Sequence, residues 1–157
     1  MADYDLWDSP LTGAYLLWRF TMAFEEKATV GPNLLLAFPA LLLLITPKLA
    51  APLSKREVTS LSEYMFQFIR EDSATLASLH GLIDMKRELV RLSLCVGFAS
   101  SLLHVNKDGT LHANPRPEPR KYARIFRENY DKKAQRLGTI LASVPPEKIS
   151  HYLGVNF

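Results

Sequence analysis

Residues 85–113 constrain the fold more than any other stretch. The segment MKRELVRLSLCVGFASSLL has few helix breakers, and its apolar residues spread around much of the circumference, so it reads as a helix. HVNKDGTLHA follows at once and predicts two short strands, over 102–105 and 110–113, joined by Asn106-Lys107-Asp108-Gly109. Asp-Gly between alternating apolar residues is a strong hairpin signal, because a tight turn needs positive φ and glycine supplies it without steric cost. Helices upstream, then a helix running into a hairpin, outline a winged helix. DNA-binding and protein-interaction modules share that outline, so it names no function.

The chain has 157 residues, 48% hydrophobic and 22% charged, which suits one compact domain with an ordinary core. The expected architecture is mainly α. A winged-helix-like domain with a small β-hairpin wing covers 1–113, and a proline-rich connector covers 114–119. An amphipathic helical extension over 120–157 packs on the same domain. The net charge of +3 is too small to argue for nucleic acid by itself. Cys95 is the single cysteine, set in the apolar helix, so the expectation is an inert buried thiol in a reducing cytoplasm. Met1-Ala2-Asp3-Tyr4-Asp5 is acidic where a secretory signal needs basic residues. The most membrane-like stretch, LLLAFPALLLLI at 34–45, falls short of the roughly 20 residues a spanning helix needs and contains Pro39. It reads as core, with no membrane partner.

Taken in order, Thr12 reads as the N-cap of a helix carrying Leu16, Leu17, Trp18, Phe20 and Phe24, which stops before Gly31-Pro32. Residues 34–38 read as a short buried strand, followed by a helix with Pro39 at its first position. Ser54 with Glu57 three residues on reads as a capping box, opening a helix with Val58, Leu61, Met65, Phe66, Phe68 and Ile69. Asp72 or Ser73 caps the next helix. A break at 81–84 is expected, with Asp84 capping the helix from Met85. Beyond the connector, 120–144 reads as a long amphipathic helix with Tyr122, Phe126, Tyr130, Leu137, Ile140 and Leu141 on one side. Val144-Pro145-Pro146 ends it, and a short turn follows.

Catalytic and metal-binding patterns are scarce. His80, His104, His112 and His151 form no ligand spacing, and the seven glycines are scattered without a phosphate loop. His104 and His112 face each other across the expected hairpin but lack a third ligand. The reading is therefore no enzyme, no metal and no cofactor. Three basic features remain. Lys86, Arg87 and Arg91 lie early in the helix before the hairpin, where a winged-helix reader touches base edges, although the rest of that helix is apolar. Lys107 sits at the wing tip. Arg116, Arg120, Lys121, Arg124 and Arg127 make a patch with Glu118 as its only acid, a candidate for phosphate, DNA or an acidic partner. Lys132 and Arg136 extend this face, and Glu128 and Asp131 fall within it. The plainer reading is thus a solvated, salt-bridged face with ~0.3–0.5 kcal/mol per pair.

Several phrases line up with one family. Residues 8–20, Asp-Ser-Pro-Leu-Thr-Gly-Ala-Tyr-Leu-Leu-Trp-Arg-Phe, resemble the N-P-A-x-x-A-x-x-L-x-x-F entry of middle components of ABC-three-component systems. Residues 34–43 are similar to their leucine-rich L-P-L-L-L segment, with Phe38 before the proline. Thr59-Ser60-Leu61, Leu137-Gly138 and Tyr152-Leu153-Gly154-Val155 resemble later motifs in the same order. Asp8-Ser9 replaces the usual Asn before proline, and Asn156 a more common Arg. The resemblance implies a small non-catalytic subunit that works with an SMC-like ABC ATPase and an effector nuclease in bacterial anti-phage or anti-plasmid defence, of which Lamassu is one type. It would dock on the ATPase and meet DNA chiefly through the complex. The rival reading is a stand-alone winged-helix DNA-binding transcriptional regulator.

Overall fold

The computed structural model describes residues 9–71, 74, 77–115 and 130–153, with backbone alone at 69–71. The centre of the molecule is the first helix, α1 (Pro10–Ala28). It starts three residues earlier than the Thr12 reading, with Ser9 in the N-cap position. Ser9 holds an extended conformation and Pro10 takes the first helical position, where its missing N–H is not needed. Thr12 is instead buried inside the helix. From Thr12 to Trp18 every residue is buried, so the helix is enclosed on all sides rather than laid over a core.

The strand expected at 34–38 is a 3₁₀ turn, Leu34–Leu36, capped by Asn33, whose Oδ1 accepts from the Leu35 N–H at 2.9 Å. Without that cap, five apolar residues in a row look the same as strand or helix. Helix α2 (Ala37–Ile45) follows and places Pro39 third rather than first. The first four N–H groups of a helix lack intrahelical acceptors, so proline is tolerated there too. Leu41 to Leu44 are fully buried. No single helix among the described residues is long and apolar enough to cross a membrane.

A short helix α3 (Pro47–Ala50) and a 3₁₀ turn (Ala51–Ser54) lead to α4 (Leu61–Glu71). A related cap lies six residues beyond the Ser54 reading, with its glutamate reaching the residue before the cap rather than the cap itself. Ser60 Oγ accepts from the Glu63 N–H at 3.2 Å, and the Glu63 carboxylate accepts from the Thr59 N–H at 3.2 Å. Ser54 Oγ instead donates back to the Ala51 carbonyl, closing the preceding turn. Tyr64 packs inward and donates to the Leu49 carbonyl at 2.7 Å, with burial pushing its phenol far above the usual range.

Helix α5 (Leu79–Ala99) is continuous, so the expected break at 81–84 is absent. Gly81 is exposed with nothing near it, and a lone glycine costs a helix interior only ~1 kcal/mol. Asp84 accepts from Arg87 instead of capping. The hairpin pairs β1 (Leu103–Val105) with β2 (Leu111–Ala113), antiparallel, with His104 opposite His112. Gly109 turns the chain at φ +83°, as the Asp-Gly signal requires. The outer edge of β2 is covered by the chain after α1, since the Leu111 N–H donates to the Pro32 carbonyl at 2.8 Å.

Helices α6 (Tyr130–Ala142) and α7 (Pro146–Leu153) complete the described chain. Helix α6 lies along α1, and Gly138 makes the contact close: a Cβ there would stand 2.4 Å from the Phe20 carbonyl oxygen. Helix α5 packs α1 from another side. The molecule is mainly helical, with one two-stranded hairpin.

Candidate interaction surfaces

Several polar groups in the described residues hold parts of the chain together. Asp131, at the start of α6, is only 7% exposed. Its Oδ2 accepts from Arg19 Nη2 at 2.6 Å, its Oδ1 accepts from Arg19 Nε, and the Tyr15 hydroxyl donates to Oδ1 at 3.3 Å. A two-pronged Arg–carboxylate bond is the geometry that makes a buried pair tolerable. This corrects the solvated face read from the sequence, since Asp131 points into α1. Arg136 leaves that face as well. Its Nη1 donates to the Leu53 carbonyl at 2.7 Å and its Nη2 to the Val58 carbonyl at 3.1 Å. Lys132 alone of the three is exposed. The signal for the pair was present in α1: Arg19 sits between Trp18 and Phe20 in an enclosed helix, where a cation needs a carboxylate.

The hairpin is tied to α1 by Glu25. One carboxylate oxygen accepts from the Ala113 N–H at 2.7 Å, and the other lies 2.6 Å from His112 Nδ1. His104 and His112 do face each other, with ring centroids 4.5 Å apart, and His104 Nδ1 is 2.9 Å from Asn114 Oδ1. Among the described residues no group of three His, Cys, Asp or Glu is placed to hold a metal ion. Trp18 closes the same end, donating from Nε1 to the Asn114 carbonyl at 2.9 Å.

The basic residues expected early in α5 are not all on one exposed side. Arg87 and Arg91 are exposed on one side of α5, while Lys86 lies half-buried on another. Arg87 is engaged by Asp84 of its own helix at 2.6 Å. Lys107 is exposed at the hairpin tip, beside Asp108, whose carboxyl is held below its usual range chiefly by the Thr110 hydroxyl. Arg116, Arg120, Lys121, Arg124 and Arg127 lie outside the described residues.

Among the described residues, two of the outward-facing apolar features are extended. One is a cleft of about 390 Å³ between the end of α1, the 30–36 segment and the α6–α7 junction, lined by Phe24, Val30, Leu36, Val144 and Ile149 among others. The other is the outer side of α5, where Met85 is 76% exposed and Leu92 45%. Cys95 is exposed there too, contrary to the buried thiol expected from its apolar neighbours. A helix apolar on most sides is not enclosed on most sides unless other elements cover it.

No curated protein and no solved structure matches the chain. A family model does: ABC-three component (ABC-3C) system Middle Component 3 matches residues 2–157, and the chain belongs to that family.

Proposed function

We propose that this chain is the non-catalytic middle subunit that docks on an SMC-like ABC ATPase and couples it to an effector nuclease, in a cytoplasmic anti-phage or anti-plasmid system of Lamassu type. The observation that carries the reading is the family match, which spans residues 2–157. The way polar groups are used supports it. Arg19, Asp131, Arg136 and Glu25 all hold one part of this chain to another, while outward-facing apolar side chains remain on α5. Exposed large apolar side chains of that kind suit a subunit that finishes its surface against partners. Helix α5 and the hairpin form a winged-helix-like unit in this reading, and DNA is met through the assembled complex. The patch from Arg116 to Arg127 is the candidate phosphate contact.

The test is reconstitution with the two other chains of its own system, followed by size-exclusion chromatography and mass measurement. Co-elution with the ATPase is expected; elution alone in every combination would overturn the reading. The rival, a stand-alone DNA-binding regulator, draws on Arg87 and Arg91 being exposed on one side of α5. Selective duplex binding by the isolated chain, lost on Arg91→Ala, would favour it.

A further inference from the structure

Helix α5 has two apolar sides. One is buried: Leu79, Val90, Ser93, Leu94 and Gly97 face the core. The other is Leu82, Met85, Leu89, Leu92, Val96 and Ala99, spaced 3-4-3-4-3 along the helix. At 100° per residue these two groups centre roughly 120° apart. The second row is only partly used inside the molecule. Leu82, Leu89 and Val96 are half-buried, and Met85, Leu92 and Ala99 are exposed.

Alternation of three and four is the 3.5-residue period of a coiled-coil seam, with Leu82, Leu89 and Val96 at one core position and Met85, Leu92 and Ala99 at the other. That period selects its occupant. A flat surface or an extended peptide has no use for it, whereas a second helix inclined by about 20° fits knobs into the holes it forms. The seam runs about 27 Å, two and a half heptads, at 1.5 Å per residue. We propose that this seam receives one heptad-patterned α-helix of a partner subunit, with a Lys or Arg opposite Glu88.

Charge decides between a partner and a second copy. Glu88 flanks the exposed side of the seam, between Gly81 and Cys95, and is itself exposed. Flanking residues of this kind pair across the seam and set partner choice. In a parallel pairing of two copies Glu88 falls level with Ser93, which is buried in its own domain. In the antiparallel pairing that stacks Leu89 on Leu92 it meets Cys95. Neither supplies a cation, so a different helix completes the seam better than a copy does. The inference rests on the subunit reading above and names the surface and the partner chemistry for it.

Cys95 supplies a native reporter, because it is the only cysteine, is exposed, and borders the seam. The experiment uses the full chain with the two purified chains of its own system. Met85→Glu combined with Leu92→Glu is expected to weaken the complex about tenfold or more. Circular dichroism and the urea midpoint check that the variant is folded, and Met85→Gln with Leu92→Gln replaces it if it is not. Independently, complex formation with the unaltered chain is expected to slow alkylation of Cys95 at least about tenfold. A complex that tolerates both variants and leaves the alkylation rate unchanged overturns the seam while the subunit reading stands. Absence of any complex with the unaltered chain overturns both. Self-association of the isolated chain that disappears in the variant overturns the choice of a partner over a second copy.

Discussion

Helices α5 and α6 both pack on α1, yet they use it in opposite ways. Helix α6 turns its strongest groups inward: Asp131 grips Arg19, Gly138 brings the two backbones together, and Arg136 reaches across to the carbonyls of Leu53 and Val58. Helix α5 meets the core through Val90, Leu94 and the small residues Ser93 and Gly97, and keeps Met85 and Leu92 outside. A helix with one apolar side is completed by its own domain. A helix with two is completed only in part, and the unused side is where an assembly can begin.

That contrast can be broken most forcefully at the ion pair. Asp131→Ala removes the two-pronged carboxylate from the largely buried Arg19 guanidinium and is expected to cost about 4 kcal/mol, read as a lower urea midpoint at unchanged slope. Leu94→Ala, on the buried side of α5, is expected to cost about 3 kcal/mol in the same assay. Gly138→Ala forces its Cβ against a backbone oxygen that has no room to yield, so a loss of about 2 kcal/mol is expected. Gly97→Ala makes the complementary case. Its Cβ would meet the end of the Leu103 side chain at 2.9 Å, which can rotate away. Alanine also favours the helix, so the net change is expected within about 0.5 kcal/mol. Smallest of all is Leu92→Ala, expected to leave the urea midpoint within about 0.5 kcal/mol because that side chain is nearly half exposed. A large loss at Leu92 would mean that α5 is finished inside the monomer, and the contrast would collapse.

The hairpin was legible because its signal is local: Asn-Lys-Asp-Gly needs only its own backbone to turn. The C-terminal limit of α1 was legible for the same reason, with Gly31-Pro32 stopping it. Starts of elements fared worse. Ser54 and Ser60 both precede a glutamate by three residues, and what separates them is where the 3₁₀ turn ends, which tertiary packing decides. The role of α1 was not legible, since an enclosed helix and a one-sided one can share the same apolar residues, and enclosure depends on what returns to cover it. Asp131 was misplaced for a related reason. Periodicity within one helix sorts residues by face, but it cannot reveal that a distant arginine waits on the polar side. The outward seam of α5 is different, because its period was written in the residues, but only exposure separates a free seam from a buried one.

Arg19 and Asp131 lie 112 residues apart in the chain. During synthesis at about 5–20 residues per second, Arg19 therefore exists for roughly 6–22 s before its carboxylate is even made. Over that interval the side of α1 that α6 will cover is apolar surface, and the two-pronged bond to Arg19 is still unmade. The ion pair thus acts as a completion mark: it closes only in a chain translated beyond Asp131, and a polypeptide cut short before that point leaves one side of α1 uncovered.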